Sequence, residues 1–215
     1  LGHLFVRRRP LRDADGAPLV TVVHGWHKVA TKPGETVAII GAGGPISLMF
    51  VQLLKISGAE KIIAIGRSSV RLNVARELGA TEIVNAKEVD ATESVRNLTA
   101  GYGADIVIEC AGKKDTWESS VDMVRKGGRV LWFGGLPGGE KVELDAARLH
   151  YGEIDLLNMH GGTAGNAQEA FDLIATGKLD MKPLLNGELP LRQVEDALQK
   201  MIAGEVVKMV INPEL

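Results

Sequence analysis

Apolar runs and amphipathic segments alternate along the chain from about residue 19 onward. Thr36–Ile40 and Lys61–Ile65 are largely apolar runs, which are typical of strands buried on both faces of a sheet. In Ile46–Ile56 and Ser69–Leu78 the apolar residues predict helices, and a glycine soon follows each segment. Further strands are predicted at Glu82–Val84, Asp105–Glu109, Arg129–Phe133 and Ile154–Met159. Strands separated by helices at this spacing predict a doubly wound α/β fold with a parallel sheet of about six strands.

The pattern changes character near residue 155. Beyond it, Asn166–Ala175 is predicted to be a helix, a second helical stripe follows, and Val206–Ile211 is predicted to be a closing strand. We therefore expect a C-terminal α/β extension. The chain is divided into an irregular N-terminal segment, 1–18, a main domain, 19–155, and a C-terminal segment, 156–215.

Composition and charge narrow the class of protein. The 215 residues include 25 basic and 27 acidic side chains, a net charge of −2, which argues against a nucleic-acid partner. Cys110 is the single cysteine, so the chain has no internal disulfide and no multi-cysteine zinc site of its own. Neither a membrane-length apolar run nor a signal peptide is visible, which predicts a cytoplasmic protein without a membrane partner. The start at Leu1 suggests a fragment or a processed product.

A glycine-rich loop follows the first strand of the main domain. It reads Gly41-Ala42-Gly43-Gly44-Pro45-Ile46-Ser47 and leads into a helix. Glycines let a phosphate approach the backbone, and the N–H groups of the helix N-terminus can bind a diphosphate. The motif G-x-G-x-x-G is incomplete: counted from Gly41 its third glycine is Ile46, and counted from Ala42 it is Ser47. We favour the second register because it places Pro45 at the start of the helix, and we expect Ser47 to loosen the helix–strand packing slightly. A glycine-rich turn without a ligand is the alternative.

The end of the second strand predicts which dinucleotide binds. An acidic residue at this position binds the ribose of NAD, whereas NADP sites supply arginine instead. Here Gly66 occupies the acidic position, and Arg67, Ser68, Ser69 and Arg71 follow. Arginine and serine side chains can bind a 2′-phosphate, so the sequence predicts NADP(H), with NAD(H) as the alternative. The simpler interpretation is a serine that caps the helix and a solvated Arg67.

These segments resemble the medium-chain dehydrogenase/reductase family, especially its polyol and threonine dehydrogenase branch. The likeness extends from about Pro18 to Pro213. It rests on five segments in the same order: KPGETVAIIGAGGPISLM, RLNVARELGATEIVN, GADIVIECAG, VRKGGRVLWFGG and EAFDLIATGKLDMKPLL. The resemblance implies a Rossmann-like fold and an oxidoreductase that transfers a hydride between NADP(H) and a small alcohol or carbonyl.

The resemblance also implies roles for residues at matching positions. Cys110-Ala111-Gly112 would line the adenosine side of the cofactor. Gly134-Gly135-Leu136 and His160-Gly161-Gly162 would approach the nicotinamide. Lys208 would lie near the pyrophosphate and His24 near the nicotinamide ribose. Two alternatives stay open: His24 as a helix-packing residue, and Lys208 as an ordinary exposed lysine on an edge strand. Cys110 is interpreted as a core thiol and His150 as part of a linker.

Full-length relatives carry a catalytic domain with a zinc ion ahead of this segment, and most of that domain is missing here. The resemblance implies that residues 1–18 are a remnant of it, that residues 19–155 are the dinucleotide-binding domain, and that residues 156–215 return to the catalytic domain in relatives. Leu1-Gly2-His3-Leu4-Phe5-Val6 faintly matches a zinc motif of the family, but Leu4 replaces its glutamate. We predict no zinc ligand set in this chain, and its catalytic residues stay unknown. The second hypothesis is a non-catalytic dinucleotide-binding or interaction module. Relatives pair the edge strands of two sheets, which here predicts a homodimer through Ile154–Met159.

Overall fold

The protein folds as alternating strands and helices, as the sequence predicts. The computed structural model describes residues 5–6 and 16–215. In chain order its elements are β1 (Phe5–Val6), α1 (Gly16–Val29), β2 (Thr36–Ile40), α2 (Pro45–Ile56), β3 (Lys61–Gly66), α3 (Ser69–Leu78), β4 (Glu82–Asn85), α4 (Ala91–Leu98), β5 (Ala104–Glu109), α5 (Lys114–Met123), β6 (Val124–Trp132), α6 (Ala146–Gly152), β7 (Asp155–Asn158), α7 (Ala164–Ala175), β8 (Leu185–Pro190), α8 (Val194–Ala203) and β9 (Lys208–Asn212).

The main sheet has six parallel strands in the order β4-β3-β2-β5-β6-β7. The chain winds outward in one direction from β2 to β4 and in the other from β5 to β7. The reversal lies between β2 and β5, and this is the point at which doubly wound sheets bind their ligands. The fold class predicted from the sequence is confirmed, including a sixth strand at the position expected for it.

Both faces of the sheet are covered, which explains why its strands are apolar without alternation. Val37 and Ile39 belong to the hydrophobic core that β2 shares with α1 and α2. Ala38 and Ile40, on the opposite face, pack in a second core with residues of α4 and α5, such as Val95. Each fully buried aliphatic side chain contributes about 1.5–3 kcal/mol of transfer free energy. The sheet is therefore a rigid support for the loops at its carboxyl edge.

A smaller parallel sheet, in the order β1-β9-β8, forms the C-terminal extension. It corrects the predicted irregular N-terminal segment, because Phe5–Val6 pairs with β9. It also corrects the alternative for Lys208, which is buried on the central strand of this sheet and is therefore not an exposed residue of an edge strand. The other residues of the N-terminal zinc-like motif, 1–4, lie outside the described residues.

Several helix boundaries differ from the predicted ones because of capping. The helix predicted from Asn166 begins two residues earlier, at Ala164, because Thr163 is the N-cap of α7 and its hydroxyl accepts the N–H of Asn166. The linker before β7 contains the short helix α6, whose N-cap is Asp145. None of the helices in the described part of the chain has the length and hydropathy needed to cross a membrane.

Candidate functional site

The chain turns sharply between β2 and α2, at Gly41–Gly44. Gly41 has a φ of +83°, and a Cβ at this position would lie 3.0 Å from the backbone nitrogen of Ala111. The N–H groups of Gly41 and Ala42 both donate to the Ile65 carbonyl, at 2.9 and 2.8 Å. Both the turn and the close approach of the loop after β5 therefore require glycine at position 41.

Ser47 holds this loop from the first turn of α2. Its buried hydroxyl lies 2.9 Å from the Gly41 carbonyl and 2.8 Å from the Gly44 carbonyl, and it accepts the Gly43 N–H at 3.2 Å. The expectation that Ser47 loosens the packing is wrong, because its side chain supplies hydrogen bonds that glycine lacks. The helix begins at Pro45, as the favoured register requires, but the left-handed residue is Gly41 and not Ala42.

Gly44, the N-cap of α2, is a glycine that the fold itself does not require. Its φ of −86° suits any residue. A Cβ there would approach the Ser47 hydroxyl at 3.8 Å and the Gly41 carbonyl at 3.9 Å, which are ordinary contacts. A side chain at position 44 would instead enter the adjoining crevice, where the first N–H groups of α2 and the positive end of its dipole lie. This geometry leaves room for an anion at the helix N-terminus.

The crevice has a volume of about 770 Å³ and opens at the carboxyl ends of β2, β3 and β5. Eight of the residues singled out in the sequence line it: Gly41, Gly43, Gly44, Gly66, Arg67, Ser68, Arg71 and Ala111. Pro45 and Ile46 lie just behind the loop, in the first turn of α2. The charged lining residues are Arg67, Arg71, Lys87, Lys113 and Asp115, so bases outnumber acids although the chain has a net charge of −2.

Packing explains why β3 ends in glycine. A Cβ at Gly66 would lie 3.0 Å from the Leu72 side chain and 3.2 Å from the Ala42 carbonyl. An acidic residue at this position, as in NAD sites, would therefore push against the glycine loop. The adjacent Arg67 is exposed at the crevice, and its guanidinium has no hydrogen-bond or ion-pair partner within the described part of the chain.

Arg71 and Ser68 line the crevice, but they also bind the C-terminal segment. Nε of Arg71 donates to the Val206 carbonyl at 2.9 Å, and Nη2 donates to the carbonyls of Met201 and Val206. The Ser68 hydroxyl donates to the Gly204 carbonyl at 3.0 Å and caps α3. Burial lowers the pKa of the Arg71 guanidinium. The sequence assigned both side chains to a phosphate, whereas in the structure they hold the turn between α8 and β9 against the crevice.

Glu109, the last residue of β5, organises the loops beside the crevice. Its fully buried carboxylate accepts the N–H groups of Ala111 and Gly112, at 2.7 and 3.0 Å, and the Thr116 hydroxyl at 2.8 Å. Burial raises the pKa of this carboxyl, and the hydrogen bonds that it accepts act in the opposite direction. The sequence interpretation missed this role. The sequence feature that could have indicated it is a charged residue, Glu109, at the end of the apolar run DIVIE.

The loops after β5 and β6 pack against each other. A Cβ at Gly112 would lie 2.9 Å from the Gly135 carbonyl oxygen, and one at Gly134 would lie 2.5 Å from the Gly112 nitrogen. Nε1 of Trp117 donates to the Gly134 carbonyl at 2.8 Å. The structure therefore brings the two predicted loops together. Ala111 lies in the crevice wall; the other predicted residues of these loops lie beside the wall, namely Cys110, Gly112, Gly134, Gly135 and Leu136.

Cys110 has the environment of a core thiol. Its backbone N–H donates to the Ile40 carbonyl at 2.9 Å. Burial, together with the charge of Glu109, raises the pKa of the Cys110 thiol well above the ordinary value. A thiol that resists ionisation is a poor nucleophile, which agrees with the interpretation made from the sequence.

His24 contacts the segment that was predicted to approach the nicotinamide. Its Nδ1 lies 2.9 Å from the Gly161 carbonyl, and since a carbonyl can only accept, Nδ1 carries the proton. A Cβ at Gly162 would lie 2.7 Å from the Val20 side chain, so this segment packs closely on α1. His24 and Lys208 do not belong to the wall of the crevice described above.

Two groups of crevice residues were not found from the sequence. Lys87, Lys113 and Thr116 follow the ends of strands, a position that could have marked them as candidates. Ile202, Ala203 and Gly204 come from the turn after α8, and they reach the crevice through the contacts with Arg71 and Ser68. No local pattern in the sequence indicates that these three residues meet the glycine loop.

The described residues do not fit a zinc site. Among them, no three His, Cys, Asp or Glu side chains lie close enough together to hold a metal ion.

Comparison with known proteins places this geometry in a family. Residues 45–176 match the family model described as zinc-binding dehydrogenase. Sorbitol dehydrogenase of Bacillus subtilis is 31% identical over 198 residues, which are 91% of this chain and 55% of the relative. L-Threonine 3-dehydrogenase of Caldanaerobacter subterraneus is 32% identical over 183 residues, 84% of this chain and 52% of the relative. The chain therefore spans about half the length of the curated relatives that it matches.

A solved structure agrees with these relatives. The crystal structure from Sinorhizobium meliloti described as a zinc-binding dehydrogenase bound to NADP superposes with a TM-score of 0.87 at 32% identity. The match covers 94% of this chain and 59% of the other. The match therefore extends beyond residues 36–158, which hold the six-stranded sheet.

Proposed function

Since the chain belongs to the zinc-binding dehydrogenase family, we propose that it is the cofactor-binding half of an oxidoreductase and binds NADP(H) in preference to NAD(H). The observation that carries this proposal is the crevice itself. It combines a glycine loop at a helix N-terminus with a lining in which basic residues outnumber acidic ones. The NADP-bound neighbour supports the choice of cofactor.

The residues of this chain have distinct tasks in the proposed site. The loop Gly41–Gly44 and the N-terminus of α2 bind the diphosphate through backbone N–H groups. Arg67 binds the 2′-phosphate at the end of β3. Glu109 holds the loops after β5 and β6, which orient the remainder of the cofactor. When bound, the nicotinamide supplies the hydride chemistry, and the protein supplies orientation and exclusion of water.

The experiment that tests the proposal is a fluorescence titration of the 215-residue chain with NADPH and with NADH. We expect saturable binding of both cofactors, with NADPH bound about tenfold more tightly because of the additional charged contact. Tighter binding of NADH, or no saturation with either cofactor, would overturn the proposal.

For the whole protein we propose oxidation of a small alcohol or polyol, or the reverse reduction of a carbonyl, in the cytoplasm. The named relatives, a sorbitol and a threonine dehydrogenase, support a hydroxyl-bearing substrate. We also propose that residues 156–215 return to pack on a catalytic domain, as in full-length relatives. NADP reduction by the longer protein with a panel of polyols and amino alcohols tests this proposal, and a panel without turnover contradicts it.

Gly44→Ala separates binding of the diphosphate from folding. Because the protein leaves room for a Cβ at position 44, we expect the free energy of unfolding to change by no more than about 1 kcal/mol. The affinity for NADPH and NADH should fall about tenfold or more, since the methyl group occupies the place of a phosphate oxygen. Chemical denaturation and fluorescence titration measure the two quantities.

Gly138→Ala is the matched control for this prediction. A Cβ at Gly138 would have no atom within 4 Å, so this position likewise leaves room for a side chain, but it lies outside the crevice wall. The control should alter neither stability nor affinity. Unchanged cofactor binding in Gly44→Ala would contradict the proposed position of the diphosphate.

We propose that two chains form a dimer through β7. This strand lies at one edge of the six-stranded sheet, and its Leu156 and Leu157 are only partly buried. Pairing with a second copy would satisfy its free edge. Light scattering at micromolar concentration should give the mass of a dimer, and the mass of a monomer would contradict the proposal.

A further inference from the structure

The chain beyond β4 brings a lysine to the end of the crevice that lies at the carboxyl ends of β3 and β4. Gly66 and Asn85 are paired at the ends of the parallel strands β3 and β4. The connection continues past the strands, because the Ala86 N–H donates to the Gly66 carbonyl at 2.8 Å. Lys87 is the next residue, and it lines the same crevice as Arg67. Neighbouring strands are about 4.8 Å apart, so the two side chains start close together.

The backbone before Lys87 is fixed rather than loose. Its N–H donates to Oδ1 of Asn85 at 3.1 Å, and Nδ2 of Asn85 donates to the Glu88 carboxylate. The acid nearest in sequence, Glu88, is therefore engaged by Asn85. The Lys87 ammonium is exposed and has no hydrogen-bond or ion-pair partner among residues 16–215.

The other bases of the crevice are less suited to an anion at this end. Arg71 uses Nε and Nη2 for the carbonyls of Met201 and Val206. Lys113 belongs to the loop after β5, on the other side of the glycine loop. Among the described residues, Arg67 and Lys87 are therefore the two cations at this end of the crevice whose side chains have no hydrogen-bond or ion-pair partner.

We propose that Lys87 is a specificity-determining residue that pairs with the 2′-phosphate of NADP together with Arg67. This inference rests on the proposed function. A phosphate monoester carries a charge between −1.5 and −2 at neutral pH, so a single arginine leaves part of that charge uncompensated. The planar Arg67 guanidinium can donate two directed hydrogen bonds to the phosphate, and the mobile Lys87 ammonium provides a second positive charge. NAD has a hydroxyl at this position and gains little from Lys87.

The test compares Lys87→Gln with Lys126→Gln by fluorescence titration of the 215-residue chain with NADPH and NADH. Lys126 is an exposed lysine in the first half of β6, far from the carboxyl edge of the sheet. For Lys87→Gln we expect the Kd of NADPH to rise about tenfold and to depend less on salt. The Kd of NADH should stay within about twofold, and Lys126→Gln should change neither value.

The outcomes separate this inference from the proposed function. If the unmodified chain prefers NADPH and Lys87→Gln retains that preference, the inference is wrong and the proposed function stands. If Lys87→Gln lowers the affinity for NADPH and for NADH equally, Lys87 binds a group that both cofactors share, and this result also overturns the inference. If the unmodified chain binds neither cofactor, the proposed function fails first. Unchanged circular dichroism shows that the variants are folded.

Discussion

Arg67→Asp is expected to raise the Kd of NADPH by about 30-fold or more, a loss of roughly 2 kcal/mol. The substitution replaces an attraction to the 2′-phosphate by a repulsion, in a crevice where the guanidinium has no partner among the described residues and is available to a ligand. The Kd of NADH should stay the same or fall, because an aspartate at this end of β3 can accept hydrogen bonds from the ribose hydroxyls. Fluorescence titration with both cofactors measures the two Kd values and shows whether the preference for NADPH is lost.

Arg71→Lys is the informative companion to this variant. Since Arg71 holds the carbonyls of Met201 and Val206, its loss should displace the turn after α8. A displaced wall should weaken the binding of NADPH and of NADH to the same extent, so the Kd of NADH divided by the Kd of NADPH stays constant. If instead Arg71→Lys lowers that ratio and Arg67→Asp leaves it unchanged, the 2′-phosphate lies against Arg71 and our assignment of Arg67 is wrong.

The elements around the glycine loop could be predicted because their boundaries are encoded locally. The strand Thr36–Ile40 and the helix Ser69–Leu78 have the predicted bounds to the residue. The helix begins after Ser68, whose hydroxyl accepts an N–H from the first turn, and ends at Gly79 with a φ of +126°. Serine and glycine at these places are signals that act over a few residues, and a sequence displays them directly.

In the small sheet the sequence predicts only β9, as the closing strand Val206–Ile211; β8 and β1 could not be predicted, because they depend on distant partners. The segment Leu185–Pro190 contains Gly187 and ends in proline, both unfavourable in a strand. It becomes β8 because β9 supplies its hydrogen bonds. The two residues of β1 pair with the same strand from the opposite end of the chain. Pairing over such a separation leaves no periodic trace in either segment.

The site shows the same division between local and distant information. The sequence identified Gly41, Gly44 and Arg67 because a loop that joins a strand to a helix is a local feature. It did not reveal that Arg71 contacts Val206, a residue 135 positions further along the chain. The function of an arginine side chain is set by the acceptors that surround it in the fold. Its position in a motif therefore predicts proximity to the crevice but not the group that it binds.

Glu109→Leu should lower the free energy of unfolding by about 3 kcal/mol, since it leaves the N–H groups of Ala111 and Gly112 and the Thr116 hydroxyl without this buried acceptor. Glu109→Gln, which retains one oxygen, should cost less. Glu140→Gln, at an exposed loop position, is the control and should be neutral. Chemical denaturation measures all three values. A leucine variant as stable as the unmodified chain would show that water or other groups satisfy these donors.

The pH dependence of the same variants tests the ionised state of Glu109. Because burial raises its pKa in the folded chain above the ordinary value of 4.5, the folded form binds the proton more tightly than the unfolded form does. The free energy of unfolding of the unmodified chain should therefore fall as the pH rises through the interval between the two pKa values, and then level off. Glu109→Gln lacks this component, so its deficit in stability should be largest below pH 4.5 and smaller above the interval. A deficit that grows with pH would mean that the hydrogen bonds from Ala111, Gly112 and Thr116 outweigh desolvation and lower the pKa of Glu109. The loops beside the crevice would then be held by a carboxylate whose ionised form the folded chain stabilises.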